Sequence, residues 1–305
     1  MFIRQMTYLI ALAREKHFAR AAEACHVTQS TLSAGIKSLE RELDMRLVVR
    51  EPRFSGLTAE GERVAEWALQ IIADYDSLKQ DADLYRKGLK GILRLGVVPA
   101  AMPTIAELTR PFSVKHSNVE IEVRSMASTE IQNGLDKFEI DAGITYLENE
   151  PLSRVRKTAI YRERYIFATS RNGLRSKSTS ITWSDAARHR LCLLNEAMQN
   201  RRVLNNLADT IGLELNPTIV TNSFLAIFSH VKSGHYSSIV PHTFSYIFDG
   251  CENLILLDLI DPVHHQTIGV VTSDRTPLMP MARAFMDCAT RIDFKMNRRI
   301  CAPAG

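Results

Sequence analysis

Phe18-Ala-Arg-Ala-Ala-Glu-Ala-Cys-His-Val-Thr-Gln-Ser-Thr-Leu-Ser-Ala-Gly-Ile-Lys37 is the stretch from which the fold of this chain can be inferred. The spacing of its apolar residues predicts two short helices joined by a tight turn. Thr28 stands at the start of the second helix, where its hydroxyl is a good N-cap. The apolar stripe of that helix is formed by Leu32, Ile36, Leu39 and Leu43. The stretch therefore predicts a helix-turn-helix.

The other face of the second helix carries short polar groups suited to a DNA major groove. A recognition helix lies in that groove and meets base edges with its first turns. Glutamine can bind adenine, serine can bind either base, and lysine can bind a phosphate. A helical hairpin without a ligand would show the same apolar stripe, so the prediction depends on the cap and the polar face. The predicted DNA contacts in this stretch are Arg20, Thr28, Gln29, Ser30, Thr31, Ser33 and Lys37.

A loop with proline, glycine and serine follows, with the sequence Arg50-Glu-Pro-Arg-Phe-Ser-Gly-Leu-Thr58. This composition predicts a β-wing or loop after the recognition helix. Arg50 and Arg53 could straddle the duplex backbone there. The alternative is that they are two solvated loop arginines.

Residues 1–61 resemble the DNA-binding domain of LysR-type transcriptional regulators. The matching segments are Arg4-Gln5-Met6-Thr7-Tyr8, Phe18-Ala-Arg-Ala-Ala-Glu, Val27-Thr-Gln-Ser-Thr-Leu-Ser, Ile36-Lys-Ser-Leu-Glu-Arg-Glu-Leu43, Leu47 to Arg50 and Leu57-Thr-Ala-Glu-Gly61. The resemblance implies a transcription regulator without enzymatic activity, which binds partly palindromic double-stranded promoter DNA, a small-molecule effector and RNA polymerase. One departure is Ala34-Gly35, where many members carry Arg or Gln. A glycine inside a helix either permits a close approach to DNA or is merely tolerated.

The composition agrees with a cytoplasmic DNA-binding protein. The 305 residues suggest two or three structural units, and the formal net charge is +4. Residues 1–57 hold nine Lys and Arg against six Asp and Glu, so the excess positive charge lies at the DNA-binding end. The excess is small, and a monomer should need a second subunit to add phosphate contacts. No apolar run of about 18 residues and no signal peptide are present, so neither a membrane partner nor export is expected.

A long helix is predicted from Thr58 to about Lys87. Its apolar residues repeat in alternating steps of four and three, the seam of a coiled coil. The seam consists of Val64, Ala68, Ile71, Tyr75, Leu78, Ala82 and Tyr85. A seam this regular predicts a homodimer through this helix, which agrees with the linker-helix dimer and tetramer of the family. Gly88 and Gly91 then end the helix.

From Gly91 onwards, strands alternate with helices, which favours an α/β fold with parallel, doubly wound sheets. The predicted elements include strands at 140–144 and near 165–169 and a helix from Pro103 to His116. By the family resemblance, two such lobes with a cleft between them form a periplasmic-binding-protein-like effector domain. The predicted organisation is a winged helix-turn-helix at 1–58, a linker helix at 59–90 and an effector domain at 91–305. Within that domain, lobe 1 is assigned to 91–160 and 267–305, and lobe 2 to 161–266.

An effector is expected where strands end and helices begin, since helix N-termini offer free N–H groups to small anions. Ordinary N-capping would explain any one of these residues, but their convergence on one cleft favours binding. The predicted effector residues are Ser128, Thr129, Thr145, Asn195, Met198, Gln199, Asn200 and Asn222. Pro99-Ala-Ala101 and Ala127 replace hydroxyl residues of the family, which disfavours a bulky oxygenated ligand and leaves room for a tiny carboxylate. An aromatic or amino acid is the alternative.

Two segments, Met198-Gln-Asn-Arg-Arg202 and Ile131-Gln-Asn-Gly-Leu135, are similar to regulators of formate dehydrogenase operons, which implies formate as effector. Peroxide-sensing members of the family carry a reactive cysteine in the first of these regions, and this chain has none there. The five cysteines are widely scattered.

An enzyme and a solute-binding protein are the competing interpretations. The sequence lacks G-x-S-x-G, P-loop and G-x-G-x-x-G motifs, so no cofactor is expected. His264-His265 is interpreted as a solvated loop pair rather than a metal site, because adjacent residues cannot easily point at one centre. The helix-turn-helix argues against a solute-binding protein.

Overall fold

The computed structural model describes residues 3–50, 54–148, 152–171, 178–248, 253–292 and 294. It divides into two units, Met1–Gly88 and Leu89–Gly305, and each is described by itself. Across the described ranges, no helix has both the length and the apolar run that crossing a membrane requires.

The first unit contains the predicted helix-turn-helix, followed by a two-stranded antiparallel wing. Its elements are α1 (Ile3–Glu15), α2 (Phe18–Ala24), α3 (Gln29–Leu43), β1 (Val48–Arg50), β2 (Phe54–Leu57) and α4 (Ala59–Lys87). Thr28 caps α3 by accepting a hydrogen bond from the backbone N–H of Thr31. Thr58 caps α4 in the same way through Gly61. Both predicted N-caps are confirmed.

The core of this unit forms where the apolar stripe of α3 meets α1. Leu32, Ile36 and Leu39 are fully buried, and they share one hydrophobic cluster with Leu9 and Leu12. Burying an aliphatic side chain of this size contributes about 1.5–3 kcal/mol. The polar face of α3 is left outside this cluster as a consequence.

Helix α4 keeps large apolar side chains in solvent within a single chain. Trp67 is 63% exposed and Leu78 is 67% exposed, while Val64 packs partly against the core of the unit. The helix ends at Lys87, and Gly88 forms its C-cap with a φ of 75°. That positive φ suits glycine, which explains the position of the helix end.

The second unit is an α/β structure with two lobes. Its strands are β3 (Gly91–Val97), β4 (Val119–Ser125), β5 (Ala142–Tyr146), β6 (Val155–Ser170), β7 (Ser180–Thr182), β8 (Cys192–Leu194), β9 (Ile219–Thr221), β10 (Ser238–Pro241), β11 (Leu254–Ile260) and β12 (His265–Ser273). Its helices are α5 (Ile105–Lys115), α6 (Ser128–Asp136), α7 (Trp183–Ala187), α8 (Gln199–Thr210), α9 (Phe224–Lys232), α10 (Ser245–Phe248) and α11 (Pro280–Ala289). Among the described residues, 3-10 turns span Pro99–Thr104 and His242–Phe244.

Strand β6 connects the lobes, because its pairing partners change part of the way along it. It pairs with β12 over Val155–Arg164, and with β10 and β11 over Tyr165–Ser170. The sequence pattern predicted only a short strand near 165–169. The lobe boundary expected at 160/161 falls inside this continuous strand.

The expectation of parallel sheets is wrong for much of the unit. β3 runs parallel to β4 and β5, and β8 runs parallel to β9. β12, however, is antiparallel to β5 and β6, and both β10 and β11 are antiparallel to β6. The chain passes from one lobe to the other and back through neighbouring strands, so the returning strand β12 must run against β6.

Each lobe has its own buried core. Phe167, Trp183 and Leu204 lie in the core of the second lobe. In the first lobe, Phe112 of α5 meets Phe285 of α11 edge to face, with ring centroids 5.8 Å apart. The segment after residue 266 therefore returns to the first lobe as β12 and α11.

Two local expectations differ from the structure. The helix predicted from Pro103 begins as a 3-10 turn at Pro99, and its α-helical part starts at Ile105. His264 and His265 are half-buried rather than solvated, and His265 is the first residue of β12. The adjacent Gln266 is buried, because the strand alternates its side chains between two faces.

Candidate DNA-binding surface and effector cleft

The outward face of α3 presents most of the predicted DNA contacts. Gln29, Ser30, Thr31 and Lys37 are exposed, and Ser33 is half-buried. They surround the first turns of the helix, on the side away from its buried leucines and isoleucine. This face combines neutral hydrogen-bonding groups with one cation, as base readout with phosphate contact requires.

The remaining predicted contacts are engaged within the protein or only partly described. The Thr28 hydroxyl accepts from the Thr31 amide at 3.2 Å, so its first role is to cap α3. Arg20 is exposed, and its Nη2 donates to the Glu15 carbonyl at 2.7 Å, which fixes α2 against the end of α1. Arg50 ends β1. Arg53 lies outside the described residues.

Gly35 serves packing inside the protein. A Cβ atom at this position would lie 2.6 Å from Cδ2 of Tyr8. Contacts that short do not occur between real atoms, so the aromatic ring of α1 rests directly on the backbone of α3. The glycine therefore has a packing role against Tyr8, and its close approach to DNA stays a prediction.

In the second unit, three helical segments begin at one cleft between the lobes. They are the 3-10 turn after Val98, α6 and α8. The inner part of the cleft has a volume of about 10 Å³, and the outer part a volume of about 660 Å³. The inner part is lined by Val98, Pro99, Ala100, Ala127, Ser128, Tyr146, Leu194, Met198, Gln199 and Asn200. A volume of about 10–15 Å³ holds one water molecule, so the inner part is water-sized.

Five of the eight predicted effector residues line this cleft, namely Ser128, Thr129, Met198, Gln199 and Asn200. Of the three helix starts that the sequence indicates, those of α6 and α8 meet here, and that of α9 does not. Thr129 is exposed and belongs to the outer part only.

The other three predicted effector residues lie elsewhere. Thr145 is fully buried inside β5, whose alternation turns the next residue, Tyr146, into the cleft instead. Asn195 lines a separate depression together with Arg201 and Glu214. Asn222 is exposed ahead of α9 and lines neither part of the cleft.

Further residues beside the five named above also line the cleft. Tyr146 lines both parts of the cleft, and Gln132 and Arg202 line the outer part. Gln132 lies one helical turn after Ser128, a spacing from which it could have been found. Tyr146 is the last residue of β5, whereas the sequence pattern ends this strand at Ile144 and places Tyr146 just after it.

A buried hydrogen-bonded chain lies beneath the cleft. Asn200 Nδ2 donates to the Tyr146 hydroxyl at 2.9 Å, and that hydroxyl lies 2.7 Å from Oε1 of Glu163. Asn200 Nδ2 also lies 3.5 Å from the hydroxyl of Tyr165. All four residues are buried. The chain joins α8 of the second lobe directly to β5 of the first, and joins β5 to β6, the strand that both lobes share.

Glu163 is held in its neutral form over much of the pH range. Its side chain is fully buried, and burial raises its pKa to about 8 against the lesser, opposite effect of the Tyr146 hydrogen bond. The second carboxyl oxygen, Oε2, has no hydrogen-bond partner. A buried carboxylate with a single donor is poorly stabilised, which agrees with the direction of the shift.

A second polar group lies further along β6. Arg164 forms an ion pair with Asp258, and its backbone N–H donates to Nδ1 of His242 at 3.2 Å. His242 is buried, and burial followed by the nearby Arg164 charge lowers its pKa to about 4. This imidazole is therefore neutral at physiological pH.

The charge of the cleft favours anions. Arg202 lines its outer part, and no carboxylate side chain lines either part among the residues that the structure describes. Nη1 of Arg202 donates to the Glu196 and Ala197 carbonyls at 2.7 Å, which holds the guanidinium beside the start of α8. The N-termini of α6 and α8 add partial positive charge at the same place.

Metal and thiol chemistry find little support in the described ranges. These ranges contain no group of three or more His, Cys, Asp or Glu side chains arranged to hold a metal ion. Cys192 is buried, and burial raises its pKa to about 11. Burial also raises the pKa of Cys25 and Cys288. Thiols with raised pKa values form little thiolate and react slowly.

Two family models match the chain. The model described as "Bacterial regulatory helix-turn-helix protein, lysR family" matches residues 3–62, and "LysR substrate binding domain" matches residues 86–292. Among curated relatives, the DNA-binding transcriptional dual regulator OxyR of Escherichia coli (strain K12) is 24% identical over 279 residues, which is 91% of each chain. The regulator EstR of Acinetobacter baylyi is 27% identical over 300 residues, covering 95% of this chain and 96% of its own.

Solved structures share the fold. A full-length OxyR variant from Pseudomonas aeruginosa superposes with a TM-score of 0.74 at 21% identity, covering 96% of this chain and 99% of its own. CbnR in complex with its target DNA superposes with a TM-score of 0.66 at 20% identity, covering 96% of this chain and 100% of its own.

Proposed function

Because the chain belongs to the LysR family and is a DNA-binding transcription regulator rather than an enzyme, we propose that α3 reads promoter DNA while a small organic anion binds in the cleft between the lobes. The observation that carries the effector class is the convergence of three helix starts on a water-sized inner cleft. A ligand that binds one arrangement of the lobes better than another shifts the protein toward that arrangement.

For the DNA contacts, we propose that Gln29 and Ser30 meet base edges and that Lys37 neutralises a phosphate. Their exposure on the outward face of α3 supports these roles. The complex of CbnR with its target DNA is a precedent within the same fold. We further propose that Arg50 and Arg53 contact the sugar-phosphate backbone on either side of the DNA duplex.

The protein is further proposed to work as a homodimer through α4, and as a tetramer built from two such dimers. The exposed Trp67 and Leu78 on that helix support pairing with a second copy. The proposed organisation is a winged helix-turn-helix at 1–58, a linker helix at 59–90 and an effector domain at 91–305. A regulator of promoters acts in the cytoplasm, where it contacts RNA polymerase.

A formate-like carboxylate is the effector that we propose. Pro99 and Ala100 narrow the inner cleft and offer no hydroxyl, so a ligand with many oxygens would lack partners there. A single carboxylate could receive hydrogen bonds from the starts of α6 and α8. None of the relatives described above is named for formate. We nevertheless propose that the protein is similar in function to regulators of formate dehydrogenase operons.

Peroxide sensing is the principal competing effector mechanism. Relatives that match this chain include the hydrogen peroxide-inducible genes activators of Escherichia coli O6:H1 and Pectobacterium carotovorum. The segment Met198–Arg202, however, contains no cysteine, and the described thiols have raised pKa values. Treatment with hydrogen peroxide is therefore expected to leave DNA binding unchanged.

The effector proposal is tested by calorimetric titration of the full-length protein with formate, acetate, benzoate and an amino acid. Saturable binding of formate, weakened at least tenfold in Ser128→Ala, is expected because Ser128 begins α6 inside the cleft. Ser125→Ala is the matched control, since that serine is exposed at the end of β4. Tight binding of benzoate alone would contradict the formate-like class.

The DNA proposal is tested with operator fragments selected from a random pool by the full-length protein. Gln29→Ala is expected to lose discrimination among the selected sequences while binding non-specific DNA unchanged. Gln70→Ala is the matched control, because it removes the same type of side chain from α4 rather than from α3. Equal discrimination by Gln29→Ala and the wild type would refute the role assigned to Gln29.

A further inference from the structure

The Tyr146 hydroxyl lies between two buried partners that have different hydrogen-bonding abilities. Asn200 Nδ2 can only donate to it, at 2.9 Å. Glu163 Oε1, at 2.7 Å, accepts when the carboxyl is ionised, and either donates or accepts when it is protonated. The direction of this second hydrogen bond therefore depends on the proton of Glu163.

A phenol oxygen has one hydrogen to donate and two lone pairs that accept. When Glu163 is ionised, Tyr146 must give its hydrogen to the carboxylate. When Glu163 is protonated and donates, both lone pairs of the phenol oxygen are occupied, by Asn200 and Glu163. The Tyr146 hydrogen can then turn to another acceptor. The Tyr165 hydroxyl is within hydrogen-bonding reach of it, and Tyr146 and Asn200 both line the inner cleft.

We propose that Glu163 is a positioning residue that sets the charge preference of the cleft: protonated Glu163 donates to the Tyr146 oxygen and so turns the Tyr146 hydrogen toward an anion bound between the lobes. This inference rests on the proposed function, because it assigns the regulation of the same effector site. Anion binding and the proton on Glu163 are thereby linked. If Glu163 is ionised beforehand, the anion enters together with one proton from solvent.

The surroundings of Glu163 support a neutral carboxyl. The titratable groups that face it are the phenols of Tyr146 on β5 and of Tyr161 and Tyr165 on β6, and burial raises the pKa of each. From β12, Gln266 stands opposite Glu163 in the register and is hydrogen-bonded to His264. Burial lowers the pKa of His264, so it supplies no fixed positive charge.

The two arginine side chains next to Glu163 on β6 lie on the opposite face of the strand. Arg162 and Arg164 alternate with Glu163 along the strand, and Arg164 is paired with Asp258 of β11. His265, beside them on β12, and His242 both have pKa values lowered by burial. Within the described residues, no cation forms an ion pair with Glu163.

The linkage predicts how effector affinity depends on pH. Below a pKa of about 8, Glu163 is protonated in the empty protein and the affinity for an anion is constant. Above it, the ionised carboxylate takes the Tyr146 hydrogen and adds a negative charge beneath the cleft. The dissociation constant should then rise about tenfold for each pH unit, the signature of one linked proton.

The test is calorimetric titration of full-length protein with formate below and above this pKa, in buffers with different ionisation enthalpies to count protons. Glu163→Gln carries a permanent amide donor. It should therefore bind formate at every pH with the low-pH affinity of the wild type. Tyr146→Phe should bind at least tenfold more weakly at low pH, without pH dependence. Glu196→Gln, an exposed carboxylate near α8, should keep the wild-type profile.

Three results would overturn the inference. A wild-type affinity that is the same on both sides of the pKa would do so, as would a Glu163→Gln variant with the wild-type pH profile. The third concerns infrared spectra of the ligand-free protein. A protonated Glu163 predicts a carboxyl band that is present in the wild type and missing in Glu163→Gln, and the absence of such a band would overturn the inference. Failure of the proposed function looks different: formate, acetate and benzoate would all give no binding heat at any pH.

Discussion

The amide nitrogen of Asn200 lies 2.9 Å from the hydroxyl oxygen of Tyr146, which joins the first turn of α8 to the last residue of β5. The two residues come from different lobes, and both are buried. A hydrogen bond at this point spans the cleft at its deepest part. Changes in either residue are therefore expected to affect both the stability of the domain and its response to an effector.

Tyr146→Phe should lower the free energy of unfolding by about 1–3 kcal/mol, because Asn200 Nδ2 and Glu163 Oε1 both lose a buried partner. Chemical denaturation of the full-length protein measures this change. Tyr246→Phe is the control, because that tyrosine is 53% exposed and lies outside the buried chain. An equal loss in both variants would show that the Tyr146 hydroxyl has no special role.

Glu163→Gln should remove a pH dependence of stability. The folded pKa of about 8 lies above the ordinary value of 4.5, so the folded protein binds this proton more tightly than the unfolded chain. The stabilisation is complete below about pH 4.5 and is lost as pH rises through about 8. Wild-type stability relative to Glu163→Gln should thus fall by about 1.4 kcal/mol per pH unit in this window. A difference that stays constant with pH would contradict a raised pKa.

His242→Gln should show the opposite sign. The folded pKa of about 4 lies below the ordinary 6.5, so the unfolded chain binds this proton more tightly. The contribution is complete above about pH 6.5 and is lost as pH falls toward 4. Denaturation curves in this range should show the wild type losing about 1.4 kcal/mol per pH unit relative to the variant. His235→Gln, an exposed histidine, should not alter the profile.

Lys37→Ala should weaken binding to specific and non-specific DNA by similar factors. A variant that neutralises one phosphate fewer also releases one counterion fewer, so the slope of log affinity against log salt should decrease by about one. Fluorescence anisotropy at several salt concentrations measures this slope. Lys115→Ala is the matched control, because it removes one positive charge from α5 in the second unit. An equal change of slope in both variants would refute a direct contact between Lys37 and a DNA phosphate.

Gly35→Ala should destabilise the first unit, although alanine is the better helix former by about 1 kcal/mol. The added methyl would lie 2.6 Å from the Tyr8 ring, and overpacking of this kind costs about 1–3 kcal/mol. Replacing Tyr8 with leucine as well should recover part of the loss. Thermal unfolding distinguishes the cases, and a more stable Gly35→Ala would contradict the contact with Tyr8.

Much of the first unit could be predicted from the sequence because its information is local. The stripe of Leu32, Ile36 and Leu39 and the cap at Thr28 each depend on residues within a few positions of one another. The cleft was only partly predictable. Ser128 and Gln199 line the cleft and stand at helix starts, which can be recognised locally, whereas Asn195 lines a separate depression.

What the sequence alone determined is the helix-turn-helix, the long α4 with its caps, the two-lobed α/β class and the family. The helices, their caps and the α/β class follow from short-range periodicity and capping, which do not depend on distant contacts. The two-lobed arrangement follows from the family resemblance, which rests on the order of motifs. Only the tertiary structure decided that β6 runs through both lobes and that β12 returns antiparallel beside it. The same is true of the chain from Asn200 through Tyr146 to Glu163. Hydrogen bonds and burial between residues far apart in sequence set these features, because a buried polar group must find its partner wherever the fold places one.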